Sequence, residues 1–141
     1  MTWQDLMEYL ANRIAQALPG WSVYPHPVSD GVLQGPVVEM GVGAGVIADW
    51  RLASPGVQAA LRIALMTPTR DHPTSYYALL DAVDAVVRVL HEERGTLLAQ
   101  GVELGPPVTG MGPVEAPQPV AWADSSGAWR MEVQVQLRRS I

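Results

Sequence analysis

The residues best able to do chemistry stand in three places, and each falls short of the chemistry it hints at. The first is "GVGAGV", Gly41 to Val46, directly after the apolar run "VVEM". A dinucleotide-binding turn needs G-x-G-x-x-G opening a helix, so that bare backbone amides can cradle a pyrophosphate. The sixth position here is Val46, and Ser54-Pro55-Gly56 breaks the chain before any helical pattern begins. A flexible turn is expected instead. The second place is "TRDHPTS", where His72 lies beside Asp71 and close to Ser75. A nucleophile and its base rarely come from one short turn, and no nucleophile elbow surrounds the serine. The stretch reads as the entry to a helix, with Asp71 and Ser75 bonding backbone amides. The third place is the pair Asp81 and Asp84 on one helical face, partly neutralised by Arg88. That pattern is a solvated face rather than a metal-carboxylate site.

His26, His72 and His91 are the only histidines, and their spacing fits no zinc motif; the chain has no cysteine. Disulfides, thiolate metal sites and a cysteine nucleophile are therefore excluded. The expectation is a protein that is not an enzyme, with no catalytic residue, no cofactor and no metal.

Composition narrows the class further. The 141 residues are expected to form one domain, residues 1–141, able to bury roughly 68–70% of the unfolded surface. A hydrophobic content of 48% against 16% charged suits a packed core rather than disorder. The start, "MTWQDLMEYL", carries acids and no early basic residue, unlike a signal or transit peptide. No apolar run reaches the roughly 18–20 residues that cross a bilayer. A soluble protein made in a cytoplasm, with no membrane partner, is expected. The net charge of −5 argues against broad binding to nucleic-acid phosphates. All nine basic residues are Arg, a bias that matches a GC-rich coding sequence.

Thr2 is placed to cap a first helix running to about Leu18, with Trp3, Leu6, Met7, Leu10 and Ile14 at helical spacing and Pro19-Gly20 as its stop. "WSVYP" and "VVEM" read as short strands, and "VQAALRIALM" as a longer one with Leu61, Ile63 and Leu65 on one parity. Thr74 or Ser75 would cap a second helix ending near Arg94, before Gly95. Its apolar face reads as Tyr76, Leu80, Val83, Val87 and Leu90. "VAWADSSGAWRMEV" reads as a hairpin with "DSSG" at the turn. The fold class is α+β: a mostly antiparallel sheet packed by two α-helices, with a C-terminal β-hairpin.

Two stretches look made for contact. Residues 101–119, "GVELGPPVTGMGPVEAPQP", hold five Pro and four Gly, and read as a long extended arm without regular structure. Its prolines limit its freedom, and Pro107, Val108, Met111 and Val114 offer apolar anchors for a neighbouring subunit. Because the core elements lie elsewhere, removal of residues 107–116 is expected to leave the fold intact. The last strand alternates from Trp129 to Leu137, so Arg130, Glu132, Gln134, Gln136 and Arg138 share one wholly polar face. Such a face meets water in many antiparallel sheets, and it equally suits a hydrogen-bonded partner. Ile47 and Trp50, amid turn residues, complete the candidate interface.

A helix ending in "ALPGWSVYPHP", a loop to "GPVVEMG", "VQAALRIALM" before "YYALLDAVDAVVRVL", the Pro/Gly-rich arm and a last strand "MEVQVQLRR" follow one another along nearly the whole chain. This order resembles the tail terminator (tail completion, or minor tail) proteins of long-tailed bacteriophages. The resemblance lies in the pattern of elements, not in a signature motif. It implies a homo-oligomeric ring, a hexamer, that caps the tail tube, stops its growth and joins the tail to the head connector. Its partners would be copies of itself, the tail tube protein and a head-completion protein, with DNA only passing through the lumen. Its place would be the head-proximal end of the virion tail. Alternatives are a head–tail joining or neck protein of the same particle, a small ligand-binding or enzymatic α+β domain, and a monomeric adaptor.

Overall fold

Local sequence starts the first helix as expected. In the computed structural model, which describes residues 1–28, 32–33, 35–50, 55–68, 72–110, 112–116, 121–122 and 127–141, α1 spans Trp3–Ala17. Thr2 Oγ1 accepts from the Asp5 amide at 3.1 Å and the Thr2 amide donates to Asp5 Oδ2 at 3.0 Å. This reciprocal capping box satisfies two amides that a helix start leaves unpaired. The bonds from Thr2 hold the Asp5 carboxyl below its ordinary value. Leu6, Met7, Leu10, Ala11 and Ile14 form the buried face. The helix stops at Leu18, and Gly20 takes the left-handed φ of 88° that the turn requires.

The chain continues through β1 (Ser22–Tyr24), β2 (Val32–Leu33), β3 (Val37–Trp50), β4 (Pro55–Pro68), α2 (His72–Ala99), β5 (Val102–Leu104), β6 (Val108–Thr109), β7 (Val114–Ala116), β8 (Ala121–Trp122) and β9 (Ala128–Ser140). The main sheet runs β1-β3-β4-β9-β5, with β6 and β7 also paired to β9. All of its pairs are antiparallel except β1 with β3. β4 and β9 stay in register from Gly56↔Ser140 to Pro68↔Ala128, which makes them the spine of the sheet. Both helices lie on one face. There Leu61, Ile63 and Leu65 of β4 and Val133, Val135 and Leu137 of β9 join the buried residues of α1 and α2 in one core. The fold is α+β, with a mostly antiparallel sheet packed by two helices.

Five expectations meet a different outcome. "GVGAGV" is neither a turn nor a phosphate loop: it continues β3, which pairs with β4 as far as Trp50↔Pro55 across an irregularity between Val42 and Val46. Glycines that read as a turn here serve a bulged strand, where pairing with a neighbour overrides local preference. α2 runs through Gly95 to Ala99, because Leu97 is fully buried and its packing outweighs the roughly 1 kcal/mol that a helical glycine costs. It begins at His72, upstream of Thr74 and Ser75, and Asp71 lies outside the described residues. Its buried face is Leu79, Ala82, Val83, Val86, Val89, Leu90, Glu93 and Leu97, with Leu80 and Val87 only at the margin.

The Pro/Gly-rich stretch is the fourth difference. It contributes three short strands that pair in succession along β9: Val102–Leu104 opposite Arg139–Leu137, Val108–Thr109 opposite Gln134–Val133, and Val114–Ala116 opposite Arg130–Ala128. It is one interrupted edge strand, broken at Pro106-Pro107 and at Gly112-Pro113 because proline cannot donate to a ladder. The antiparallel partner at the start of β9 is thus β7, whereas Ala121–Trp122 pairs in parallel with Val32–Leu33. Residues 123–126, most of the expected "DSSG" turn, lie outside the described residues.

Candidate functional site

Alternation along β9 sends Met131, Val133, Val135 and Leu137 into the core and Arg130, Glu132, Gln134, Gln136 and Arg138 to the opposite side. On that side one residue organises its neighbours. Glu132 sits opposite Ala64, and Arg62, one diagonal step away on β4, reaches it with both arms of its fork. Arg62 Nε donates to Oε1 at 2.7 Å and Arg62 Nη2 to Oε2 at 3.1 Å. Gln134 Nε2 donates to Oε1 at 2.8 Å, and Arg130 Nη2 to Oε2 at 3.2 Å. Burial pushes the Glu132 carboxyl up, but the hydrogen bonds from Arg62 and Gln134 and the charges of Arg62 and Arg130 outweigh it. The group is held below its ordinary value. A carboxylate that already accepts four donors is a poor proton acceptor at neutral pH. The arrangement suits a fixed hydrogen-bonding surface better than acid–base work.

Glycines let this layer lie close to the sheet. A Cβ on Gly43 would meet Ala60 Cβ and Arg62 Cδ at 3.2 Å, so the Arg62 stem crosses over that position. A Cβ on Gly56 would stand 2.9 Å from the Arg138 guanidinium and from the Arg139 carbonyl oxygen. Arg138 also donates to Ser140 Oγ at 3.3 Å. Beside this polar layer, β6 and β7 place Val108 opposite Gln134 and Val114 opposite Arg130, exposed by 61% and 48%. Paired residues share a face, so both valines flank the polar cluster. Pro107 is half-buried just before β6, and Met111 lies outside the described residues.

The structure therefore brings seven of the predicted interface residues together: Val108, Val114, Arg130, Glu132, Gln134, Gln136 and Arg138. Ile47 and Trp50 lie in the far half of β3, opposite Gln58 and Pro55. Gln58 in turn pairs with Arg138, which puts Ile47 in the row of Arg138 two strands away, and the side chains of Ile47 and Trp50 lie outside what is described. Arg62, the strongest partner of Glu132, was missed. Its signal was present, since an arginine between Leu61 and Ile63 must leave the core side of an alternating strand.

A second polar cluster ties the helices together. Glu93 is only 5% exposed, and its carboxylate pairs with Arg13 Nε at 2.7 Å and accepts the Tyr9 hydroxyl, both from α1. The hydrogen bond to Glu93 is the main reason the Tyr9 phenol is raised above its ordinary value. This is a structural clamp between elements. The described residues of the stretches weighed for chemistry lie on separate elements. His26 follows β1 with Nδ1 at 2.9 Å from the Pro27 oxygen, His91 is on the exposed side of α2, and the Ser75 carbonyl accepts from Thr67 Oγ1 at 3.3 Å. Asp81, Asp84 and Arg88 are exposed. Among the described residues no three His, Cys, Asp or Glu converge on a metal-sized site, and no helix is long and apolar enough to cross a membrane.

No protein-family model matches this sequence, nor does any curated protein sequence. Among solved structures the chain is similar to a chain of the virion of a native gene transfer agent (GTA) particle, at a TM-score of 0.54 and 15% identity. The likeness covers 96% of this chain and 95% of that one. At that identity it is a likeness of fold, and it extends from end to end.

Proposed function

We propose that this protein is a structural subunit of a phage-like virion, forming the ring that caps the tail tube, ends its polymerisation and joins it to the head connector. The observation that carries this reading is the end-to-end fold likeness to a virion chain: two chains of nearly the same extent share one arrangement of helices and sheet. The surface is of the matching kind. A rigid layer of Arg, Glu and Gln, flanked by exposed Val108 and Val114, can bind a neighbour specifically without collapsing the free subunit. In a ring, that contact would be repeated between copies, and the tube and the connector would take the two ring faces.

The test is a particle lacking this protein, viewed by electron microscopy. Overlong tubes without heads are the expected result. Tubes of normal length that fail to join heads would instead support a head–tail joining protein, and particles of normal appearance would end the virion reading.

A further inference from the structure

The two margins of the main sheet differ in a way that points to how copies meet. We infer that residues 42–50 of β3 dock the β6–β7 margin of a second copy, so that subunits join head to tail through their sheet edges. The inference rests on the assembly reading above for its choice of a copy over a foreign strand.

β1 covers β3 only from Val37 to Glu39. Beyond that, among the described residues, β3 has β4 on one side and no strand on the other as far as Trp50. The Ser22 amide donates to the Pro36 carbonyl, which sets the backbone phase: the groups of Val38, Met40 and Val42 face the β1 side. Those of Val42 thus present a donor and an acceptor to the open margin. Natural edges of this length are usually blunted by Lys, Pro or charges, and residues 42–50 contain no Lys, Arg or Pro and a single acid, Asp49. Val42 is 39% exposed there and Ala48 is exposed. Where β1 ends, the chain turns through residues 25–28 against the start of this margin. The Val28 amide donates to Glu39 Oε2 at 3.0 Å and Pro27 lies 3.5 Å from where a Gly41 Cβ would stand, so among the described residues the margin is open from Val42 on.

The opposite margin supplies what this one lacks. Among the described residues β6 and β7 pair with β9 on one side only, and they carry the exposed Val108 and Val114. From Leu104 to Ala116 this margin follows β9 from Leu137 to Ala128, about 30 Å at roughly 3.3 Å per residue; the open part of β3 is of similar length. Pro106, Pro107 and Pro113 confine pairing to short windows, which favours one register over indiscriminate addition. A two-fold contact of β3 with β3 would cover one margin and leave both valines in water. The head-to-tail contact covers both margins in every copy, and such heterologous contacts close into a ring when the rotation between copies divides a full turn.

The cysteine-free chain makes the test direct. Full-length Val42→Cys and Ala48→Cys proteins are each mixed with Val108→Cys or Val114→Cys proteins and treated with a short bismaleimide. At least one mixture should give a cross-linked heterodimer, while the β3 variants alone should not cross-link to themselves. Absence of product in all four mixtures overturns the inference, and so does efficient self-linking of Val42→Cys or Ala48→Cys. Independently, Ala48→Lys should abolish oligomers in light scattering with an unchanged melting midpoint; an undiminished oligomer overturns it. A ring that shows none of these cross-links sinks the edge pairing and leaves the tail-ring reading standing. Cross-linked rings that never bind tail tubes do the reverse.

Discussion

Glu132 shows what one residue can settle. Its folded-state value is depressed by Arg62, Gln134 and Arg130, so it adds stability that is complete above the unfolded value and lost as pH falls through the folded one. The melting midpoint should therefore drop as pH falls below about 4.5, and Glu132→Gln, which keeps the shape but removes the titration, should show a shallower drop. Equal slopes for the two proteins, measured by differential scanning fluorimetry, would show that the network does not report on folding. The same residue marks how far the sequence can be read. Alternation alone placed Glu132 on a polar face, because period two is a property of one strand. Its partner Arg62 is seventy positions away in the chain. Only the register of β4 against β9 makes them neighbours, and that register depends on how the whole sheet is assembled.

At the scale of the element, α2 carries the clearest lesson. Leucine and valine occur in adjacent pairs along it, at Leu79-Leu80, Val86-Val87 and Val89-Leu90, so helical periodicity fits more than one orientation. The deciding residue is Glu93, which lies on the buried face because Tyr9 and Arg13 of α1 satisfy it. A sequence reading puts a glutamate outside, and that shifts the expected face towards Leu80 and Val87, while Val83 and Leu90 stay common to both. Two neighbours test the observed orientation. Leu97 is fully buried and Leu98 is exposed, so Leu97→Ala should cost about 2–5 kcal/mol and Leu98→Ala less than about 0.5 kcal/mol in urea unfolding. Similar costs for the two would mean that the last turn of α2 is not docked. Gly95 offers a gain: a Cβ there meets nothing within 4 Å, and the residue is helical. Gly95→Ala should stabilise the protein by about 0.4–1 kcal/mol, and any loss would argue that α2 does not run through this position.

At the scale of the whole molecule, the Pro/Gly-rich stretch changes from an appendage to a tether. Its prolines and glycines read as an arm without regular structure, but composition carries no information on which backbone neighbour the stretch can pair with. β5 holds one end beside Leu137, with Val102 and Leu104 in the core, while β7 brings the other beside Ala128 at the opposite end of β9. The distance along β9 is about 30 Å at roughly 3.3 Å per residue, which the stretch from Leu104 to Ala116 covers with about 10 Å to spare. Deleting residues 107–116 removes β6 and β7, but residues 105–106 and 117–127 remain to join Leu104 to Ala128, a reach of about 46 Å at the same rise. β5 and β9 can therefore keep their places. The variant should keep a cooperative thermal transition while melting below the parent, because β9 loses its backbone pairing with β6 and β7. Replacing the same ten positions with Gly and Ser keeps the native length and removes Val108 and Val114, whose side chains are exposed. That protein should fold with a cooperative transition and fail to assemble. A deletion protein that melts like the parent would show that β6 and β7 add nothing to the stability of the sheet. A Gly/Ser variant that still forms the parent oligomer would show that this margin takes no part in joining copies.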